Sequence, residues 1–229
     1  MKTKHKIVIL IPCYNEEKTI KEVVLSFKRE LPEAIIYVYN NNSTDNTEKE
    51  AKQAGAIVKH EYKQGKGNVV KAMFHDIEAE CYLLVDGDNT YSAKQALDMC
   101  NLILTRKADM VIGDRLSTTY FKENKRPFHN FGNKLIRYIV NKLFKGNIND
   151  ILSGYRAFSS EFVKNIDIKS TSFEVETELT TKSLINNIKI IEIPVDYKDR
   201  PVGSISKLHT LKDGIKIIVT IIKLRIQGE

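Results

Sequence analysis

Short apolar runs alternate with stretches of helical spacing along the first half of the chain. Residues 7–11, 35–39, Ile57–His60, 82–85 and 110–113 read as strands. Between them, Ile20, Val23, Val24 and Phe27 recur on one face of a helix that Asn15 caps and that runs to about Arg29. A polar turn at 40–47 leads into a second helix ending near Gly55, a suitable C-terminal cap. Residues 66–77 and 93–104 have helical spacing as well. This alternation predicts an α/β chain, with a mostly parallel sheet covered by helices on both faces.

After Gly113 the rhythm changes. Residues 114–130 are polar and basic without a clear period, followed by helices at 133–144 and 174–186 and a strand at 189–194. The segment 211–229 predicts an amphipathic helix. Lys212, Lys216, Thr220, Lys223 and Gln227 form one narrow stripe, and isoleucine, valine and leucine cover nearly all the rest. Such a helix packs on its own domain or in an oligomer interface, or it lies in a membrane interface with its lysines toward anionic headgroups. The expected organisation is one domain over 1–210 and this helix over 211–229.

The 229 residues suit a single domain with a sizeable core, and 42% apolar with 28% charged residues excludes a disordered chain. A net charge of +7 fits nucleic acid, an anionic membrane surface or a phosphate-rich substrate without choosing among them. Cys13, Cys81 and Cys100 are odd in number and lack CxxC spacing, which predicts unpaired thiols in a reducing compartment. The apolar run at 7–11 ends at Pro12, too short for a signal-peptide core. No window reaches the roughly 20 apolar residues of a membrane span. The expectation is a cytoplasmic chain that does not cross a membrane.

The chemically distinctive residues follow the carboxyl ends of the predicted strands, where open α/β sheets bind ligands. Pro12 to Glu16, Asn40 to Asp45, Asp86 to Asp88 and Asp114-Arg115 all sit there. Asp86-Gly87-Asp88 ends a buried strand abruptly. A polar turn is one reading. A calcium loop is excluded, because its obligatory glycine would fall at Tyr91. A divalent cation shared between carboxylate and diphosphate is the third, since Mg²⁺ takes one or two carboxylates plus substrate phosphates. The small Gly87 would let a ligand approach the backbone. Gly65-Lys66-Gly67 is no P-loop, and Lys66 points to donor phosphates or to solvent.

The ordered set "VILIPCYNEE", "NNNSTDNT", "QGKGNVVKAM", "LLVDGDNTY" and "VIGDR" resembles the family 2 glycosyltransferases with the GT-A fold. "DILSGYRAF", "FEVETELTTKSL" and "IPVDYKDRPVGSISKL" make it similar to the subgroup of dolichol-phosphate mannose synthases and bacterial undecaprenyl-phosphate glycosyltransferases. The resemblance implies a metal-dependent, inverting transfer of a sugar from a nucleotide, by family habit UDP, to a polyprenyl phosphate. Mg²⁺ or Mn²⁺ would be the cofactor. By position it implies that Pro12, Tyr14 and Glu16 line the nucleoside pocket, and that Asp86 and Asp88 are the metal pair. Arg115, Arg156, Arg200 and Lys207 match basic positions near the phosphates, and Asp150 an acidic position near the reacting centre. Where the family has an aspartate after the second strand, this chain has Asn40 to Ser43, and Asn41 would meet the base through its amide.

An acceptor phosphate is ionised at neutral pH, so orientation and charge neutralisation outweigh general base catalysis. Arg156 and Arg200 suit bidentate phosphate binding, and Asp150 acts as base or orients Arg156. Glu174, Glu176 and Glu178 read as a solvated helix face, with Glu176 best matching the family's acidic position. The membrane surface, and a small membrane-embedded partner or second protomer, are the expected partners; nucleic acid is not. The runners-up are a soluble transferase acting on a saccharide or protein, and a non-catalytic basic binding module.

Overall fold

The computed structural model describes residues 5–118, 120, 127–207 and 210–228. The basic stretch at 114–130 therefore lies partly outside the described residues. The strands are β1 (His5–Cys13), β2 (Ile35–Asn40), β3 (Ile57–His60), β4 (Ala79–Leu84), β5 (Met110–Asp114), β6 (Arg156–Ser159) and β7 (Ile190–Pro194). They form one sheet in the order β3-β2-β1-β4-β6-β5-β7. β1, β2, β3 and β4 pair in parallel, as do β5 and β7, while β6 runs antiparallel between β4 and β5.

Alternation along each strand feeds two cores. Ile9, Ile11 and Cys13 of β1 face one side, with α1 (Ile20–Glu30), α2 (Thr47–Gln53) and α4 (Ala96–Leu104). Val8 and Leu10 face the other, which is covered by α3 (Lys66–Asp76), α5 (Pro127–Phe144), α6 (Ser160–Asn165), α7 (Val175–Ile185) and α8 (Thr210–Ile226). The helices thus cover both faces, as the alternation predicts.

Three local differences have physical causes. β6 has no apolar alternation, because its first residue is a buried arginine and its position between β4 and β5 comes from pairing with both. α1 starts after Thr19, and Asn15 does not cap it. Asn15 instead takes a left-handed backbone (φ 53°) and its side-chain oxygen accepts from Thr44 N at 2.8 Å. α5 begins at Pro127, six residues before Asn133, since proline fits a first helical turn.

α8 packs against α5 and α7. Ile217, Ile221 and Leu224 are buried, whereas Ile215, Ile218, Val219, Ile222 and Ile226 are exposed. One face of the helix therefore belongs to the core, and the opposite face is apolar and open. Among the described residues no helix is long and apolar enough to cross a membrane. All three cysteines are buried and free.

Candidate active site

Because β6 is antiparallel, its amino end meets the carboxyl ends of β4 and β5. Loop 150–155 is thereby brought to the Asp86-Gly87-Asp88 turn. Gly154 N donates to Tyr91 Oη at 2.9 Å, and a Cβ on Gly154 would collide with the Asp86 carboxylate. Gly87 is needed for a different reason than ligand approach: a Cβ there would stand 2.6 Å from Cys13 Sγ. Thr19 Oγ1 fixes the same turn by donating to Gly87 O at 2.7 Å.

Both carboxylates are held by cations from distant segments. Lys66 donates to Asp86 and to Glu176. It reaches them because Gly65 and Gly67 seat the start of α3 directly on the Ser170 and Thr171 backbone. Burial would lower the Lys66 pKa, but the Asp86 and Glu176 charges outweigh it and hold the ammonium protonated. Arg200 Nη2 lies 2.7 Å from Asp88 Oδ2, and its Nη1 lies 3.1 Å from Glu16 Oε1. Lys207 Nζ also reaches Glu16 Oε1, at 2.7 Å, and Asn15 O at 2.6 Å. Glu16 thus anchors the segment after β7 across the end of β1. Burial pushes the Asp88 carboxyl above its usual range; Asp86 adds to this, while Arg200 and Thr90 oppose it.

Two adjoining cavities share Lys66, Asp86, Asp88, Phe173, Arg200 and Lys207 as a common wall. One, of about 270 Å³, is also lined by Pro12, Tyr14, Glu16, Asn41 and Gly87. The other, of about 210 Å³, reaches Arg115 and Glu176 and then runs between α5 and α8. The structure therefore brings together every proposed site residue except Asp150 and Arg156.

Arg156, expected near the phosphates, lines neither cavity. It is fully buried, and its guanidinium donates to Ser153 O (2.8 Å), Ile151 O (2.7 Å) and Thr180 Oγ1 (2.8 Å). It pins the turn that carries Gly154. Asp150 is also buried and does not orient Arg156; it grips Arg115 instead, with Oδ2 2.8 Å from Nε and Oδ1 3.2 Å from Nη2. Arg115 additionally lies over the rings of Tyr120 and Tyr197, 5.1 and 5.8 Å from their centroids. Asp150 lies one step behind the cavity, against Arg115.

Asn41 lines the larger cavity, but its amide is fully engaged. It donates to Glu61 O and Lys63 O and accepts from Gln64 Nε2 and Gly65 N. The side chain holds the 61–65 loop rather than offering an edge to a base. Asp45 accepts from Thr47 N at 3.0 Å and Glu17 N at 3.1 Å, an Asx-turn before the Asn46 cap of α2 that also ties in the start of α1.

The three glutamates of the α7 region are not a solvated face; all are buried. Glu174 and Glu178 accept backbone N–H groups of residues 169–172, and Glu176 faces Lys66. The signal available in the sequence was a helix polar on every side, which a buried polar network can satisfy. Phe173, Tyr197 and Gly154 lie inside the quoted motifs, but local spacing assigns them no role, because their roles arise from chain crossings.

Asp86 and Asp88 fit a divalent cation. They are hard oxygen donors, and a cation would offset both the burial that chiefly raises the Asp88 pKa and the smaller repulsion from Asp86. Among the described residues no group of three potential ligands forms, so substrate phosphate oxygens and water would complete the shell. The arrangement offers an anion-binding centre with room on two sides.

The pattern of glycosyl transferase family 2 matches residues 8–167. Glycosyltransferase AglJ of Haloferax volcanii is 36% identical over 215 residues, covering 93% of this chain and 70% of that protein. An undecaprenyl-phosphate mannosyltransferase of Micrococcus luteus is 25% identical over 213 residues, covering 86% of this chain and 86% of that protein. Glucosyl-3-phosphoglycerate synthase of Mycobacterium tuberculosis, solved with Mn²⁺, UDP and glucosyl-3-phosphoglycerate, has a similar fold. Its TM-score is 0.74 at 18% identity, over 96% of this chain and 79% of that one. The family pattern covers most of the chain and includes the strand that ends at Asp86 and Asp88: the chain belongs to glycosyltransferase family 2 and has a GT-A fold.

Proposed function

We propose that the protein transfers a sugar from a nucleotide-sugar, UDP-hexose or UDP-N-acetylhexosamine, to a polyprenyl phosphate at the cytoplasmic face of a membrane. The observation that carries this reading is the shared wall of the two cavities. Asp86, Asp88, Lys66, Arg200 and Lys207 face both, so a diphosphate in the larger cavity and a phosphate in the smaller would meet across one charged septum. Relatives whose names specify dolichyl or undecaprenyl phosphate acceptors support the lipid.

Asp86 and Asp88 would hold Mg²⁺ or Mn²⁺, which when bound neutralises the charge of the leaving diphosphate. Arg200 and Lys66, then relieved of part of their carboxylate pairing, are placed to receive phosphate oxygens. The bond from the anomeric carbon to the diphosphate oxygen breaks, and a bond to the acceptor phosphate oxygen forms. Attack from the cavity opposite the leaving group inverts the anomeric centre. The acceptor oxygen is already anionic, so no residue has to remove a proton. Arg115, held by Asp150, lines the acceptor side.

Exposed Ile218, Val219, Ile222 and Ile226 on α8, with Phe131, Leu135 and Tyr138 on α5, form an apolar face beside the smaller cavity. Lys134, Lys216 and Lys223 lie on the same two helices. This supports docking on an anionic bilayer. The test is incubation with undecaprenyl phosphate and a panel of labelled UDP-sugars, followed by organic extraction. Label in the lipid phase is expected for one sugar. Label in none, with transfer to a soluble saccharide instead, would overturn the reading.

A further inference from the structure

The smaller cavity has two chemically different ends. One is the charged septum. The other lies between α5 and α8, where Gly132 and Ile136 face Gly214 and Ile217. Gly132 and Gly214 are both helical, and glycine inside a helix costs roughly 0.5–1 kcal/mol relative to alanine. Neither has the positive φ that would demand glycine. Nor does packing demand it, since a Cβ on either would meet no atom of the described residues within 4 Å. What both glycines preserve is open space in the cavity wall. Just outside it, α5 exposes Phe131 and Leu135, and α8 exposes Ile215 and Ile218. Apolar side chains therefore run from the cationic septum to the surface, with Asn133 and Asp213 beside them.

Resting on the acceptor assigned above, we propose that the gap at Gly132 and Gly214 is the slot through which the acceptor's isoprenoid chain leaves its phosphate and enters the bilayer. The two glycines then set which chains are admitted. The occupant follows from the two ends: Arg115, Arg200 and Lys207 suit one phosphate, and Ile136 and Ile217 suit hydrocarbon. Asp213 on the α8 wall disfavours a second anionic group there. A small acceptor polar at both ends would leave the isoleucines against polar atoms.

The experiment compares Gly132→Leu, Gly214→Leu and the double variant with the wild type. Leucine is a good helix former, and melting curves check folding. Transfer is measured in detergent micelles, which removes the contribution of bilayer docking. The acceptors are undecaprenyl phosphate and dimethylallyl phosphate, which has a single isoprene unit. Donor affinity is measured in parallel. Filling the slot should lower kcat/KM for undecaprenyl phosphate by about ten- to hundred-fold, leave the short acceptor within about two-fold, and leave donor affinity unchanged. Gly132→Ala and Gly214→Ala, which stabilise a helix, should show a smaller loss in the same direction. Unchanged preference in the double variant, or equal loss with both acceptors, would overturn the slot alone. A wild type that glycosylates neither phosphate would overturn the acceptor reading, and the slot with it.

Discussion

Arg200 Nη2 lies 2.7 Å from Asp88 Oδ2, so the second carboxylate of the Asp-Gly-Asp turn is bound by the segment that follows β7. The same arginine reaches Glu16. The Asp-Gly-Asp turn, the end of β1 and the placement of residues 200–207 are therefore coupled through these two carboxylates.

Asp88→Asn should abolish most turnover, by about 10²–10³-fold, while metal chelation does the same to the wild type and added Mn²⁺ restores only the wild type. Initial rates with and without chelator decide it. Full activity in excess chelator would remove the metal from the reaction.

Gly154→Ala should be as damaging as a change at the carboxylate itself. Its new methyl group collides with the Asp86 carboxyl, and overpacking of this kind costs about 1–3 kcal/mol. Metal affinity, read by Mn²⁺ titration, should weaken more than thermal stability does.

Arg156→Lys should act on stability. One ammonium cannot satisfy Ile151 O, Ser153 O and Thr180 Oγ1 together, and each buried group left unpaired costs about 1–3 kcal/mol. Chemical denaturation should show the loss. A variant with wild-type stability and a selectively raised KM for lipid phosphate would restore Arg156 as a ligand.

Ile218→Glu with Ile222→Glu should abolish sedimentation with anionic liposomes and leave the melting temperature nearly unchanged, because both positions are exposed. Ile221→Glu should unfold the domain, since that neighbour is fully buried. Equal liposome binding by the exposed double variant would exclude α8 from docking.

Asp45 predicts a pH effect with a definite sign. Burial raises its pKa, but hydrogen bonds from Thr47 and from Glu17 N outweigh it, so the folded value is lowered. Its stabilisation is present above the unfolded value of about 3.9 and is lost as pH falls through the folded value. Asp45→Ala should cost about 1 kcal/mol at neutral pH, as for lost hydrogen bonds to a part-buried carboxylate, and the difference should shrink below that window. Urea unfolding at pH 7 and at pH 3 measures it.

Much of the fold was legible in the chain itself. Short continuous apolar runs marked the parallel strands, because a strand covered on both faces buries successive side chains alternately in two cores. The placement of Asp86, Asp88 and Glu16 near one another followed, since all of them come after strands that point the same way. What the sequence could not decide was pairing across long separations. Arg156 looks like an exposed phosphate-binding arginine until β6 is inserted between β4 and β5, where its guanidinium is taken up by backbone carbonyls, Thr180 and Met110 Sδ. Glu176 looks solvated until α3, seated by two glycines, brings Lys66 against it. Asn41 looks free until the loop from Glu61 to Gly65 folds onto its amide. Local spacing determines which way a side chain leaves its own strand or helix, but only tertiary contact determines whether that side chain meets solvent, a ligand or a partner that uses up its hydrogen bonds.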